Sequence, residues 1–419
     1  MDIYNNDNFY EGVIIMEFED VFPDSPFEPW RPVSPEKFKG RVKDRDKILR
    51  KVPHVIKQGR AEHFFITGKR GMGKTSFINY VSRVAEDEYH MIPIHINNSG
   101  GKTVDELIQK LLDALIREFR KDYLGKKVVD KILNTIQEFK VAGTGVSLKD
   151  TNQLIQNVKN HFADFLIKTC EDLPEDHGIF IVIDDLNGLS ENEEFTNWYK
   201  GFFETMDFNE YHLPVIFTLI SYPEEYEKLC DLNESFFRIF NLIEIDNLDN
   251  KDIADFFVSS FEGVGIEFEN ELESLQPMIF FSYGMPLIMQ LIGDSIFWNA
   301  QENLKINNKI VFRGIAEAAE ELSKKQLKSK LNKIRSETYI NIFLKLADKG
   351  LMTFKKSEFK QYLTPDERKS FEGFLKKAKK LGIIEPIGKK NSGEYGFVNR
   401  LYLVYFMMLS SQKEYKKRL

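Results

Sequence analysis

The chemistry of this chain concentrates in two short stretches. Gly68, Lys69, Arg70, Gly71, Met72, Gly73, Lys74 and Thr75, with Ser76 after them, fit the pattern GxxxxGK[ST]. An apolar run precedes the pattern and a helical one follows it, which is the context the motif requires. The glycines let successive backbone N–H groups turn toward an anion, and the helix that follows adds its positive end. Lys74 is then placed to reach the β- and γ-phosphates of a nucleotide, and the Thr75 hydroxyl to ligate Mg²⁺. The second stretch, residues 179–185, is an all-apolar run ending in Asp184 and Asp185. A buried strand of this kind delivers Asp184 to a sheet edge, where it can hold Mg²⁺ through water, and Asp185 is placed to orient or deprotonate an attacking water. Alone, such a pair can also merely start a turn. Beside the glycine loop it completes a site for a nucleoside triphosphate.

The surrounding elements must hold these two stretches together. Residues 62–67, 91–96, 178–183 and 215–220 read as short buried strands, alternating with helical patterns at 45–58, from about 74, at 104–119 and at 151–171. All-apolar strands separated by helices predict a parallel sheet covered on both faces. The strand signal fades after Glu244 and Ile245, and the pattern is helical from 249 to about 327, with Asp249 capping one helix and Gly284, Met285 and Pro286 opening another. Helices at 337–348, 356–362 and 365–381 follow, then an apolar segment at 383–386, a turn at 389–393 and a second apolar run at 395–409, read as three helices and a hairpin in winged-helix order. At the other end, Pro23, Pro26, Pro29, Pro32 and Pro35 recur every third residue and predict an extended arm over residues 1–35.

Composition narrows the function classes. The 419 residues carry a net charge of −7, but residues 331–419 hold 20 Lys+Arg against 9 Asp+Glu, so the last segment is +11 and the rest −18. An acidic body with a basic end points to a polyanion contact confined to the C-terminal segment. Two cysteines, Cys170 and Cys230, form neither a CxxC pair nor a Cys/His cluster, so no zinc site or disulfide framework is expected. His63, His95 and His177 look scattered, with no third ligand nearby, and the lone Gly143-Thr144-Gly145 reads as a turn. The longest apolar run, 401–409, is about half a membrane span, so no membrane association and a cytoplasmic location are expected.

The sequence resembles the AAA+/STAND class of P-loop ATPases, and most closely the archaeal-type ATPase family related to origin-recognition initiators, over nearly its whole length. Pro26, Phe27, Glu28 and Pro29 followed by Phe38, Lys39, Gly40 and Arg41 look like the family's N-terminal box around the adenine, although Lys43-Asp44-Arg45-Asp46 departs from the usual charged continuation. The resemblance implies that Ser221, at the end of the strand after the aspartates, is sensor 1, although a strand-end Ser is also ordinary turn chemistry. It implies that Gly284, Met285 and Pro286 are the GxP element by which a switch-type lid meets the nucleotide. A sensor-2 Arg is absent, since residues 287–298 contain no Arg or Lys. Arg238 stands where an arginine finger would lie, and is equally well read as a surface residue.

The resulting expectation is an α/β P-loop ATPase domain (36–246) with a parallel central sheet, a helical lid (247–330) and a winged-helix domain (331–419). ATP and Mg²⁺ are the expected cofactors, with Lys74 and the loop amides on phosphate, Thr75 and Asp184 on the metal, Asp185 on water, and Ser221 sensing the γ-phosphate. Arg41 and Pro286 are expected at the nucleotide. An Asp at position 185, one methylene shorter than Glu, predicts slow hydrolysis suited to a switch. The stripe of Phe371, Phe374, Leu375, Ala378 and Leu381 leaves Arg368, Lys369, Lys376, Lys377, Lys379 and Lys380 outside, as in a recognition helix for duplex DNA. Lys389, Lys390, Lys413, Lys416, Lys417 and Arg418 are further phosphate candidates. A signalling or scaffold ATPase whose basic module docks a protein is the alternative carried alongside, and a homo-oligomer is among the partners considered.

Overall fold

The computed structural model describes residues 24–121, 129–131, 133–135, 137, 151–209, 212–388 and 392–418. Five strands, β1 (Glu62–Thr67), β2 (Met91–Asn97), β3 (Gly178–Asp184), β4 (Val215–Ser221) and β5 (Asn241–Glu244), form one sheet in the order β2-β3-β4-β1-β5. Every pairing in it is parallel. Side chains alternate across a strand, so the inner strands β1, β3 and β4 each feed two apolar layers. Phe64, Ile66, Phe180, Val182 and Ile216 enter the layer with α1 (Val42–Leu49), α2 (Val52–Gln58) and α3 (Lys74–Tyr89). Phe65, Ile181, Ile183, Phe217 and Leu219 enter the other, with α4 (Val104–Phe119), α5 (Thr151–Asn160), α6 (Phe162–Glu171) and α7 (Glu193–Asn209). Burial on both faces is why β1, β3 and β4 lack polar alternation, and the fold is that of a P-loop α/β domain.

After β5 the chain turns helical: α8 (Asn250–Glu262), α9 (Glu271–Ser282), α10 (Pro286–Ala300) and α11 (Asn308–Leu322). The Asp249 carboxylate caps α8 by accepting the Asp252 N–H, and Pro286 occupies the first turn of α10, both as their residue types predict. The C-terminal part contains α12 (Glu337–Asp348), a short strand Thr353–Lys355, α13 (Pro365–Lys380), two more strands Ile384–Ile387 and Glu394–Phe397, and α14 (Arg400–Arg418). Its three strands pair antiparallel around Glu394–Phe397. One continuous core runs from Ile253 to Phe406 and takes in Phe27 of the N-terminal arm.

Three local expectations are corrected. The pattern at 45–58 is two helices, with Arg50 and Lys51 between them. That at 151–171 is also two, parted at His161, whose φ −124° and ψ 42° leave the helical region. The apolar run at 395–409 is not one strand: pairing stops at Phe397, and the rest is the first half of α14. Leu401, Tyr402, Leu403, Tyr405 and Phe406 are all buried, so that helix shows almost no polar face by which its period could be recognised. The two-stranded pairing of Glu267–Phe268 with Lys305–Ile306 also had no counterpart in the sequence pattern. Pro23, Gly143 to Gly145, Lys389 and Lys390 lie outside the described residues, as do the side chains of Lys413, Lys416, Lys417 and Arg418.

Candidate nucleotide site

The loop between β1 and α3 is a tight bend because Gly71 and Gly73 take positive φ, 84° and 77°, which L side chains adopt only with strain. Gly73 is the residue immediately before α3, so the bend opens onto the N-terminus of that helix. The Lys74 ammonium folds over it, donating to the carbonyls of Gly68 (2.6 Å) and Lys69 (3.2 Å) and lying 4.4 Å above the Tyr222 ring. Burial pushes its pKa down to about 8, against the opposing pull of Asp184, Glu224 and Asp185.

The second motif arrives through the sheet. The Thr75 hydroxyl donates to Oδ2 of Asp184 at 2.6 Å, and Oδ1 of the same carboxylate accepts the Asp185 N–H at 2.8 Å. Desolvation raises the Asp184 pKa even though Thr75, the Asp185 N–H and Lys74 all act to lower it. Hydroxyl and carboxylate oxygens beside a desolvated acid form a donor set that suits a hard divalent cation such as Mg²⁺. Asp185 sits at φ 64°, ψ 65°, a left-handed conformation that Asp tolerates better than longer side chains. Its carboxylate accepts from the Asn187 amide. The Ser221 hydroxyl, at the C-terminal end of β4, donates to the Tyr222 carbonyl at 2.9 Å.

These groups line one cavity of about 430 Å³, a size suited to a small-molecule ligand. Of the residues singled out from sequence, Arg41, Arg70, Gly71, Met72, Gly73, Lys74, Thr75, Ser76, Asp184, Asp185, Ser221 and Pro286 border it. Gly68 is buried behind it and contributes its carbonyl to Lys74. Lys69 points elsewhere: its ammonium pairs with Glu385 of the C-terminal strand Ile384–Ile387 at 2.7 Å. Arg238 is exposed and does not border the cavity.

The far wall is built by pieces distant in the chain. Arg41, 8% exposed, donates from Nη2 to the carbonyls of Met72 (3.1 Å) and Asp246 (2.8 Å), tying the loop to the segment after β5. Its burial lowers the guanidinium pKa from the usual value. The arm runs along the opening, where Oε1 of Gln290 accepts the Glu28 N–H (2.7 Å) and the Ser76 hydroxyl accepts the Val33 N–H (3.2 Å). Phe27 anchors it between Phe256, Phe257 and Phe261, with ring centroids 5.7, 6.5 and 5.0 Å away. The first turn of α10 meets the loop directly: the Leu287 N–H donates to the Gly71 carbonyl at 3.1 Å. Sequence reasoning missed Tyr222, Asn97 and Asn187, all of which border the cavity. Asn97 ends β2 opposite Asp184 in the β2–β3 register, so a polar residue closing the neighbouring strand was the available signal.

A parallel sheet whose strand ends converge on a glycine bend, an adjacent helix N-terminus and a buried carboxylate defines a P-loop ATPase fold. A family model described as an ATPase domain predominantly from Archaea matches residues 42–289, more than half of the chain, and the chain belongs to that family. Its structure is similar to that of the Walker-type ATPase PABY2304 of Pyrococcus abyssi, at TM-score 0.52 and 15% identity over 90% of this chain and 99% of that one. It is also similar to the Aeropyrum pernix ORC2 protein in ADPNP–ADP complexes, at TM-score 0.51 and 10% identity, covering 91% and 96% of the two chains. At these identities the likeness is one of fold. No curated protein matches the chain. Among the described residues, no helix is long and apolar enough to cross a membrane.

Proposed function

We propose that the chain binds ATP with Mg²⁺ and hydrolyses it slowly, as a switch whose nucleotide state sets the placement of the lid and C-terminal domain. The observation that carries this reading is the 2.6 Å hydrogen bond from Thr75 to Asp184, which joins two motifs 109 residues apart on the wall of the cavity that holds Lys74. In this reading the amides of residues 70–75 and the Lys74 ammonium hold the phosphates. Thr75 and Asp184 hold the cation, which when bound neutralises charge on the leaving phosphates. Asp185 takes the proton of the attacking water, and its contact with Asn187 fixes its direction. Ser221 has to release the Tyr222 carbonyl to meet the γ-phosphate. Arg41 and Pro286 close the nucleoside end, and Arg238, being exposed, reaches a phosphate only in a neighbouring copy. Replacing Lys74 by Ala should abolish ATP binding in calorimetry; unchanged affinity and turnover in that variant would refute the assignment.

The domains proposed are the arm 1–35, the ATPase domain 36–246, the lid 247–330 and a winged helix 331–419 that binds duplex DNA. Support for DNA comes from α13: its buried stripe of Phe371, Phe374, Leu375 and Ala378 leaves Lys376, Lys379 and Lys380 exposed, and among the described residues none of these three enters an ion pair. A mobility assay across salt concentrations, with and without ATP, tests it: binding that is weak and insensitive to salt favours the protein-docking alternative.

A further inference from the structure

The end of the sheet remote from the cavity carries a second group of ligating side chains. His90 follows α3 and immediately precedes β2, and His177 immediately precedes β3. Met91 lies opposite Gly178 in the parallel β2–β3 register, so the two histidines occupy facing positions one step before the ladder begins. Their rings stack accordingly, with centroids 5.1 Å apart and planes 25° from parallel, close to the spacing of neighbouring strands. The turn that carries Asp176, closed by the His177 N–H on the Pro174 carbonyl (2.9 Å), brings a carboxylate between them. Nδ1 of His90 lies 3.2 Å from one Asp176 oxygen, and Nδ1 of His177 lies 2.9 Å from the other. One ligand atom from each of the three residues lies within 4.8 Å of the other two. The expectation that His177 has no partners for a metal is therefore corrected: His90, 87 positions earlier in the chain, and its own neighbour supply them.

We propose that His90, Asp176 and His177 bind a divalent transition-metal ion of the zinc class, separate from the Mg²⁺ of the nucleotide cavity. Two imidazoles and one carboxylate are the ligands such ions select, whereas Mg²⁺ prefers an all-oxygen shell. Metal–ligand bonds of about 2.0–2.2 Å set neighbouring donors of a tetrahedral shell roughly 3.3–3.6 Å apart, slightly beyond the 3.2 and 2.9 Å at which the two Nδ1 atoms stand from Asp176 oxygens, so small side-chain shifts admit the ion. The His90 and Asp176 side chains are 57% and 67% exposed, so both are free of packing that would resist this. The remaining coordination positions face solvent and would carry water. The bound ion cross-links the start of edge strand β2 to the turn before β3, fastening the sheet at the end away from the nucleotide.

The test uses the full chain, stripped with a chelator and titrated with Co²⁺ by visible absorption and with Zn²⁺ by calorimetry, with Mg²⁺ as a competitor. One equivalent should bind, with a cobalt spectrum of low-coordinate nitrogen and oxygen ligation that Mg²⁺ does not displace. His90→Ala and His177→Ala should each weaken binding by about tenfold or more. Asp176→Asn serves as the milder variant, and unchanged ATP binding in all three certifies that they fold. Zinc should raise the melting temperature of the parent chain and not of the double histidine variant. No stoichiometric binding, or equal binding in the His90→Ala, His177→Ala double variant, overturns the proposal. Either result leaves the nucleotide site untouched, since none of these residues borders it.

Discussion

The low pKa of Lys74 makes nucleotide binding a proton-linked event. Its ammonium is half-buried, and desolvation places its pKa at about 8 rather than 10.5. A triphosphate brought into the same cavity adds several negative charges beside it, which favours the protonated form and returns the pKa toward its ordinary range. Above pH 8 the free protein therefore lacks a proton that the complex holds. At about pH 8.5 a group with pKa 8 is roughly three-quarters deprotonated, so binding should take up about three quarters of a proton. The phosphates of the ligand are fully ionised there and contribute nothing. Below about pH 7 the Lys74 contribution to the uptake vanishes, because Lys74 is protonated in both states. Lys74 should accordingly leave affinity unchanged below pH 7 and lower it by up to about tenfold per pH unit above 8. Calorimetry of a non-hydrolysable ATP analogue, in buffers of different ionisation enthalpy at the same pH, reads the proton count directly. Lys74→Arg, whose guanidinium stays protonated throughout, should bind without uptake. No uptake in the parent chain near pH 8.5, or the same uptake in Lys74→Arg, would refute the linkage.

Asp185→Asn should lower ATP turnover by about a hundredfold or more while leaving nucleotide affinity near its parent value. Asp185→Glu lengthens the carboxylate toward the water at the cost of about 1–2 kcal/mol for a longer side chain in a left-handed conformation; turnover should rise, melting temperature should fall, and a rate no faster than the parent's would contradict the account of slow hydrolysis. Phe27→Ala empties the arm's socket among Phe256, Phe257 and Phe261 and should cost about 3–5 kcal/mol in denaturant unfolding. The same change should weaken ATP binding by freeing the wall made by Glu28 to Val33. Lys376→Glu, Lys379→Glu and Lys380→Glu together should weaken duplex binding at every sequence tried and flatten its salt dependence by about one unit of log–log slope for each phosphate no longer neutralised.

Information local in the chain was enough for four of the five sheet strands and for the phosphate loop, though not for β5 or the strand order. The runs that became β1, β3 and β4 are apolar on both faces because helices cover both, and that requirement shows in composition before any folding. Gly71 and Gly73 are legible for a similar reason: the bend needs positive φ, and the helix start at Lys74 needs donors turned outward, so residue types at fixed spacing carry the geometry. Asp184 and Asp185 follow because a strand that ends in carboxylates must end at the sheet edge.

Other features depend on which surfaces meet. The first half of α14 reads as a strand from its residues, since a helix buried nearly all round displays no period. The proline spacing of this segment predicts an extended path but not that Phe27 would be enclosed by aromatic residues of α8, nor that Ser76 and Gln290 would tie its backbone down. Arg41 was placed near the nucleotide by resemblance; its bonds to the Met72 and Asp246 carbonyls exist because β1 and β5 lie side by side. Lys69 belongs to the glycine motif in sequence, yet pairs with Glu385 because the C-terminal strands pack near the loop. His90 and His177 meet because β2 and β3 pair in one register, and a shift of a single residue would part them. Backbone conformation and burial leave their marks residue by residue, whereas a contact across the molecule requires complementary surfaces from both partners, and neither segment alone specifies the other.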